Sequence, residues 1–348
     1  MRGLIRNLIA NGASALIEPT GFLDSRISAS SGRGQTWTIV MYHRVIDDAQ
    51  QDPFGLGMCV QRDRFRRQLL YLKQAFTIIP IGEALARTQR GDPLPPRALS
   101  VSFDDGYLDN LEVAMPVLEE FGVAATLFVA TGAIETGVPF WWDRVIAAVC
   151  NSDAEAIDPV SVGLTGSGPL ALSRGVRART VERLLAMLWR FPVDEILHKV
   201  ARIEHALQGS GPNRMAPAPV LRPQQLQELH RRGMSIGAHS VRHPDLTLCS
   251  PGALSEEVQA SRRYLEALCQ AQVEGFAYPG GHVSPEVRQA VADAGYRFAL
   301  ATTTGINRAP FEPLMLRRVG MPDTRLADFK RALGTALMDA DQPSAETR

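Results

Sequence analysis

Short apolar runs rich in strand-forming residues alternate with helical patterns along most of this chain, and this alternation restricts its fold more than any other feature. Residues 37–43 and 124–130 are typical of buried strands. Helical spacing of apolar side chains marks residues 62–75 and 110–121, and Gly122 ends the second of these helices. Because strand and helix repeat in this order, we predict an α/β fold with a parallel sheet.

The rest of the chain continues the same alternation. Further strands are predicted at 76–80, 97–103, 234–238, 273–278 and 296–301, and further helices at 81–90, 222–232, 251–269 and 284–294. Between 143 and 208 the pattern changes, because helical stretches around 145–150 and 181–188 flank a Gly- and Ser-rich segment. We interpret 143–208 as a helical insertion.

Residues suited to metal binding or proton transfer stand at the ends of several predicted strands. They are His43, Asp104 with Asp105, His239 with His243, and the segment 278–281. A closed barrel brings all strand ends of one polarity to a single rim, whereas an open sheet concentrates its site near one switch point. The spread of the candidates therefore favours a barrel.

One aspartate and two histidines form a three-ligand set that leaves a coordination position open for water, as catalytic metal sites do. An ion held in this way lowers the pKa of its water and polarises a carbonyl. The other aspartate of the pair Asp104-Asp105 would then be free to accept a proton from that water. Each half of the pattern also has an ordinary explanation, a solvated Asp-Asp-Gly turn or two surface histidines. Their shared position at strand ends favours a metal-dependent hydrolase.

Size and composition narrow the functional classes. The 348 residues are enough for one large α/β domain, and 45% apolar with 21% charged residues is ordinary for a globular protein. Lys plus Arg and Asp plus Glu both total 37, so no basic field favours a nucleic-acid partner. The four cysteines form no Cys-x-x-Cys pair and are expected to be free thiols.

The N-terminal segment has an apolar helical face, formed by residues such as Leu4, Ile5 and Leu8 opposite Arg2 and Arg6. This face would suit peripheral contact with the inner membrane or packing on the domain itself. We find neither a signal peptide nor a membrane-spanning run, and we expect a cytoplasmic protein. The predicted organisation is a segment and linker at 1–36, a barrel at 37–322, and a C-terminal helix and tail at 323–348.

Four motifs in order resemble those of the polysaccharide deacetylases, carbohydrate esterase family 4, which share the nodulation-protein B homology domain. They are Met41-Tyr42-His43-Arg44-Val45, Ser102-Phe103-Asp104-Asp105-Gly106-Tyr107, His239-Ser240-Val241-Arg242-His243-Pro244 and Phe276-Ala277-Tyr278-Pro279-Gly280-Gly281. The resemblance runs from about Val40 to Arg318. It implies a distorted (β/α)7 barrel that removes the acetyl group from an N-acetylated sugar.

The resemblance also implies roles for individual residues. Asp105, His239 and His243 correspond to the ligands of a divalent metal, for which Zn²⁺ is expected and Co²⁺, Ni²⁺ or Mn²⁺ are alternatives. Asp104 corresponds to the general base. The backbone N–H of Tyr107 corresponds to a donor for the oxyanion.

The chain departs from the most familiar family members in two motifs. The segment 314–320 has no histidine where those members carry a Leu-x-His proton donor, and Ala277 stands where they carry a base-orienting arginine. The motifs instead resemble a branch with Tyr-His on the first strand and Phe-Ala-Tyr-Pro later. His43 is then the candidate acid, with hydrogen bonding to a neighbouring carboxylate as the alternative. Arg318 is a candidate for the missing orienting charge, with a surface salt bridge as the alternative.

Further substrate contacts are expected from Tyr278, Pro279 and Gly281. Trp142 is a candidate for stacking on a sugar ring, although packing of paired aromatic residues is the more common arrangement.

The sequence thus predicts a metal-dependent N-deacetylase. Its expected substrate is an N-acetylhexosamine unit of a polysaccharide, or of a lipid-linked precursor, in cell-surface glycan or exopolysaccharide biosynthesis. Two alternatives remain: an amidohydrolase of a small non-sugar amide, and a non-catalytic glycan-binding relative. The presence of Asp104, Asp105, His239 and His243 disfavours the second.

Overall fold

The computed structural model describes residues 36–339, except 57, 167 and 210–214. Its strands are β1 (Thr36–Tyr42), β2 (Arg44–Ile46), β3 (Cys59–Gln61), β4 (Thr77–Ile78), β5 (Ala98–Asp105), β6 (Ala125–Val129), β7 (Ala156–Ile157), β8 (Leu170–Ala171), β9 (Ser235–Ala238), β10 (Gly275–Ala277), β11 (Phe298–Thr304), β12 (Asn307–Arg308) and β13 (Leu316–Gly320). The predicted N-terminal segment, 1–36, lies outside the described residues except for Thr36.

Parallel pairing closes the main sheet into a barrel. The strands follow one another around it in the order β1, β5, β6, β9, β10, β11 and β13, and β13 pairs with β1. The short β4 adds to the edge of β5, and β12 pairs with β1 in the antiparallel direction. The predicted (β/α)7 barrel is therefore confirmed.

The helices are α1 (Arg62–Ala75), α2 (Ile81–Gln89), α3 (Met115–Phe121), α4 (Thr131–Thr136), α5 (Trp141–Asn151), α6 (Arg177–Leu188), α7 (Val193–Ala206), α8 (Pro223–Arg231), α9 (Pro251–Cys269), α10 (Pro285–Asp293) and α11 (Leu326–Asp339). No helix of the described ranges is long and apolar enough to cross a membrane.

The alternation of side chains along β1 shows how the barrel is filled. Trp37 and Ile39 belong to an apolar cluster with residues of the other barrel strands, including Phe128 and Leu300. Val40 of the same strand joins a second cluster that includes the surrounding helices. This is the two-residue period of a strand with one face toward the barrel interior and one toward the helices.

The helical insertion lies between β6 and β9 and has its own apolar core. Helices α5, α6 and α7 contribute Val145, Leu184 and Val200 to this core. Helix α5 begins at Trp141, two residues before the predicted boundary, and α7 was not predicted as a separate helix.

Several elements of the structure differ in detail from the predicted ones. The helix predicted at 110–121 begins as a π-helical turn, Asn110–Ala114, before α3, and Gly122 ends it with a left-handed φ of 60°. The strand predicted at 76–80 is reduced to the two residues of β4. Strand β13 was not predicted at all, yet it closes the barrel.

Candidate active site

The predicted metal ligands meet at the rim formed by the carboxyl ends of β5 and β9. One ligand atom from each of Asp105, His239 and His243 lies within 4.8 Å of the other two, and all three side chains are buried. The Nε2 atoms of both histidines are 3.5 Å from Asp105 Oδ1. Residues from two strand ends, far apart in the chain, therefore form one cluster.

The polar atoms of this cluster fit a divalent cation. Both carboxylate oxygens of Asp105 are buried and have no hydrogen-bond partner within the described part of the chain. Burial raises the pKa of Asp105 well above its ordinary value, and the charge of Asp104 adds to this effect. A bound cation would compensate the buried negative charge.

The histidines are held in a state suited to metal binding. His239 Nδ1 lies 2.7 Å from the carbonyl oxygen of Ala277, so Nδ1–H donates to that carbonyl and the lone pair of Nε2 faces Asp105. Burial lowers the pKa of His239 and lowers that of His243 further, which favours the neutral imidazole that binds metals.

The loop between the two histidines has a strained backbone. Ser240 and His243 have φ values of 64° and 55°, in the left-handed region that is costly for residues other than glycine. At the start of α4, the backbone N–H of Thr131 donates to Ser240 O at 3.1 Å, and that of Gly132 donates to Val241 O at 2.8 Å. The fold therefore imposes this loop conformation through contacts outside the motif.

Asp104 points to the same rim and forms a buried ion pair. Arg318 Nη1 donates to Asp104 Oδ1 at 2.7 Å, and Arg318 Nε donates to the carbonyl of Ala301 at 3.0 Å. Burial by itself would raise the pKa of Asp104, but the Arg318 guanidinium, together with His239 and His43, outweighs burial and lowers the pKa to about 2. The alternative of a surface salt bridge for Arg318 is wrong, because its side chain has no exposed area.

Asp105 faces the site together with Asp104 although the two are sequence neighbours. Alternation along β5 would direct adjacent side chains to opposite faces. Asp105 has a φ of 78°, which interrupts the extended conformation at the end of the strand. This local change allows both carboxylates to serve one site.

His43 follows β1 at the same rim. Burial lowers its pKa to about 4, although the charge of Asp104 acts in the opposite direction. Its backbone carbonyl accepts a hydrogen bond of 2.8 Å from Asn110 Nδ2. Among the described residues no carboxylate accepts a hydrogen bond from the His43 ring, which disfavours the alternative role predicted for it.

Tyr107, whose backbone N–H is the predicted oxyanion donor, is held by contacts with the segment before α8. Tyr107 is bridged to Val220, and the pairing uses the amides of Leu108 and Leu221, which donate to Pro219 O and Gly106 O. The Tyr107 amide is left out of this pairing. The Tyr107 side chain is buried, and its hydroxyl is 2.8 Å from Asp143 Oδ2.

Trp142 is a packing residue in the structure. Its ring stacks on Phe140 at 4.5 Å with an interplanar angle of 5°, and Nε1–H donates to the Tyr107 hydroxyl at 2.7 Å. Only 8% of Trp142 is exposed, so little of its ring surface is available to a sugar. The geometry therefore favours packing over sugar stacking. The Trp142 ring centroid is nevertheless only 4.8 Å from that of His243.

Tyr278 directly follows Ala277, whose carbonyl accepts the hydrogen bond from His239. It is fully buried in the main core, and its hydroxyl donates to the carbonyl of Leu314 at 2.9 Å. In this position the Tyr278 side chain cannot make the expected contact with a substrate. Pro279 is buried as well, and Gly281, with a φ of 75°, packs closely against Thr302. These residues shape the turn after β10.

Three features near the ligands carried no sequence signal. Trp189 of the insertion lies 5.6 Å from His243 between ring centroids. His282 Nδ1 is 2.6 Å from Asp245 Oδ2 beside the same tryptophan. Glu257 of α9 accepts hydrogen bonds from the loop between the two histidine ligands. Each depends on how separate elements pack against one another, so no local pattern could have identified it.

The profile of the polysaccharide deacetylase family matches residues 91–299, which is more than half of the chain. The chain belongs to the polysaccharide deacetylase family. The family takes its name from the deacetylation of polysaccharides. The resemblance described from the four motifs is thereby confirmed.

One curated relative is YxkH of Bacillus subtilis (strain 168), provisionally named a polysaccharide deacetylase. The two sequences are 20% identical over 269 residues, covering 77% of this chain and 64% of YxkH. The chain therefore spans less than two thirds of the length of this relative.

Solved structures of deacetylases share the fold. Streptococcus pyogenes deacetylase PplD, in complex with acetate, has a TM-score of 0.58 at 19% identity and covers 88% of this chain and 99% of its own. IcaB from Ammonifex degensii has a TM-score of 0.55 at 17% identity, with coverage of 88% and 98%. A de-N-acetylase from Aggregatibacter actinomycetemcomitans has a TM-score of 0.51 at 12% identity, with coverage of 85% and 99%. At these identities the likeness concerns the fold alone.

Proposed function

We propose that the protein is a metal-dependent N-deacetylase of N-acetylhexosamine units in a cell-surface glycan or its lipid-linked precursor. One observation carries the proposal. A carboxylate held ionised by a buried arginine, Asp104, stands beside a cluster of Asp105, His239 and His243 that fits a divalent cation. Family membership supports the carbohydrate as substrate class.

Asp105, His239 and His243 would hold the metal, for which we propose Zn²⁺. When bound, such an ion supplies Lewis-acid polarisation of the amide carbonyl and lowers the pKa of a water. The neutral imidazoles and the unpartnered Asp105 carboxylate of this chain are the groups available for that purpose.

Asp104 accepts the proton of the attacking water in this mechanism. Its carboxylate is ionised at neutral pH because Arg318 lowers its pKa to about 2. Arg318 also fixes one carboxylate oxygen by the 2.7 Å hydrogen bond, which leaves Oδ2 as the acceptor. In the most familiar members of the family an arginine orients the base, and this chain has Ala277 in its place. We assign that orienting role to Arg318.

Two further groups complete the proposed chemistry. The Tyr107 backbone N–H donates to the oxyanion that develops on the substrate carbonyl. His43 is the proposed proton donor to the leaving amine. Because burial lowers the pKa of His43 to about 4, it is neutral before reaction, and the proton it donates is the one that Asp104 has taken from the water. Passing this proton on restores the Asp104 carboxylate, whose negative charge favours the protonated imidazole.

An acetate-release assay tests the activity. The purified protein, loaded with Zn²⁺, is offered polymeric, lipid-linked and nucleotide-linked N-acetylhexosamines. We expect acetate from at least one of these classes and a loss of about 100-fold or more in kcat for Asp104→Asn, given the usual contribution of a general base. Release of acetate by Asp104→Asn at the wild-type rate would exclude Asp104 as base.

His43 is tested in the same assay with His43→Gln, which retains a side chain of similar size without a titratable group. His198→Ala, an exposed change on the insertion, is the control. A His43→Gln variant with wild-type kcat would remove His43 as proton donor and leave the other assignments intact.

A further inference from the structure

We propose that Glu257, on helix α9, is a positioning residue for the metal-binding loop and sets its metal affinity without ligating the ion. The inference rests on the proposed function, since it assumes that His239 and His243 bind a metal. Glu257 lies 14 residues after His243, and its carboxylate reaches the loop because α9 packs beside β9.

The contacts of Glu257 are directed at the loop backbone. Its Oε2 accepts hydrogen bonds from the backbone N–H groups of Val241 and Arg242, both at 2.9 Å. Its Oε1 accepts from Nε of Arg242 at 2.8 Å. Only 3% of the Glu257 side chain is exposed. A buried carboxylate with three charge-assisted hydrogen bonds to one loop is a strong restraint on that loop.

This restraint acts where the backbone is strained. The two amides bound by Glu257 lie between Ser240 and His243, the residues with left-handed φ values. The carbonyls of Ser240 and Val241 are bound by α4 on the other side, and Ser240 Oγ accepts from the His243 amide at 3.0 Å. Without Glu257 the amides lose their partner, and the loop can relax toward ordinary φ values. His243 would then move away from Asp105 and His239.

A carboxylate suits this position better than an amide would. A glutamine could direct its oxygen to both backbone N–H groups, but its NH₂ group would then face the Arg242 guanidinium, which also only donates. A glutamine therefore cannot accept hydrogen bonds from both the loop amides and the Arg242 guanidinium. Arg242 also donates to Asp194 of α7 at 2.7 Å, so the helical insertion is joined to the same loop.

Metal affinity measured by competition with a chromogenic chelator tests the inference, using Zn²⁺ and Co²⁺ on the full chain. Changes in groups that orient metal ligands cost about 10- to 100-fold in affinity, and we expect a loss in this range for Glu257→Gln. The Co²⁺ absorption spectrum should change as well, because the coordination geometry alters. Glu266→Gln is the matched control, since Glu266 lies on the same helix and binds Arg262 and Val273 but not the loop.

A double variant separates positioning from folding. In Glu257→Gln with Arg242→Leu, the glutamine oxygen can accept from both amides with no guanidinium opposite its NH₂ group, so we expect affinity to recover to within a few fold of the wild type. This measurement also stands if Glu257→Gln alone does not fold. Wild-type affinity in Glu257→Gln, or no recovery in the double variant, would overturn the inference. Absence of metal binding by the wild type would instead contradict the proposed function.

Discussion

Arg318 on β13 and Asp104 on β5 form an ion pair of 2.7 Å that is closed to solvent, and they are 214 residues apart in the chain. The pair joins the last barrel strand to the strand that carries both carboxylates. Arg318 Nη2 has no hydrogen-bond partner in the part of the chain that the structure describes, so the guanidinium is committed mainly to Asp104 and the Ala301 carbonyl.

Removing Arg318 should cost both stability and activity. Breaking a buried ion pair leaves an uncompensated charge, and we expect Arg318→Met to lower the free energy of unfolding by about 3–5 kcal/mol. The double variant Asp104→Asn, Arg318→Met removes both charges of the pair. Its free energy of unfolding should therefore fall less than that of Arg318→Met alone. Chemical denaturation measures both.

The control for this experiment is an exposed pair. Arg66 binds Glu120 at the surface, where solvent screens the pair, so Arg66→Met should lower the free energy of unfolding far less than Arg318→Met. If Arg318→Met and Arg66→Met lowered the free energy of unfolding equally, the buried pair would not stabilise the fold more than the exposed pair does. Acetate release should fall in Arg318→Met, because Asp104 loses the group that holds it ionised and oriented.

Metal removal should abolish activity reversibly. Dialysis against a chelator is expected to yield a folded protein without acetate release, and addition of Zn²⁺ should restore the release. Asp105→Ala and His239→Ala should bind less than a tenth of the metal bound by the wild type, since each removes one of three ligands. Elemental analysis measures the content, with His198→Ala as a control of unchanged content. Full metal content in both ligand variants would disprove the ligand assignment.

Asp143 should make stability depend on pH. Burial raises the pKa of Asp143 from 3.8 to about 7, although Arg44 and the Tyr107 hydroxyl favour its ionised form. A folded-state pKa above the unfolded value means that the stabilising contribution is complete below about pH 4 and is lost as the pH rises to 7.

Asp143→Asn removes this titration. The free energy of unfolding of the variant, relative to the wild type, should therefore increase between pH 4.5 and pH 7 by on the order of 1–4 kcal/mol, at about 1.4 kcal/mol for each unit of pKa shift. Above pH 8 the difference should be constant. Urea denaturation at several pH values measures it, and a difference independent of pH would show that Asp143 is not held protonated.

Trp142 should contribute to stability more than to substrate binding. We expect Trp142→Ala to lower the free energy of unfolding by about 3–5 kcal/mol, because it empties a buried site beside Phe140. Trp142→Phe retains the stacking but loses the hydrogen bond to Tyr107, and about 1–3 kcal/mol should be lost. A Trp142→Ala variant with wild-type stability but a greatly increased KM would favour the sugar-stacking role.

Much of the fold could be predicted because it depends on local pattern. The helix predicted at 62–75 has those bounds in α1, and the helix predicted at 251–269 has those bounds in α9. Apolar periodicity is set by the elements themselves and survives without tertiary information. Strand β13 has no such apolar period, because Arg317 and Arg318 interrupt its apolar residues. Arg318 is one of the two partners of the buried ion pair with Asp104.

The sequence by itself determined the succession of strands and helices, the family, and the residues of the candidate metal site, because chemical type and position at a strand end are local properties. Only the tertiary structure decided that Arg318 pairs with Asp104, that Trp142 is buried, that Tyr278 is a core residue and that Glu257 supports the loop between the histidines. These facts depend on which elements meet and on how their side chains are directed. Closure of the barrel joins β13 to β1 and brings α9 against β9, and no local period encodes such contacts.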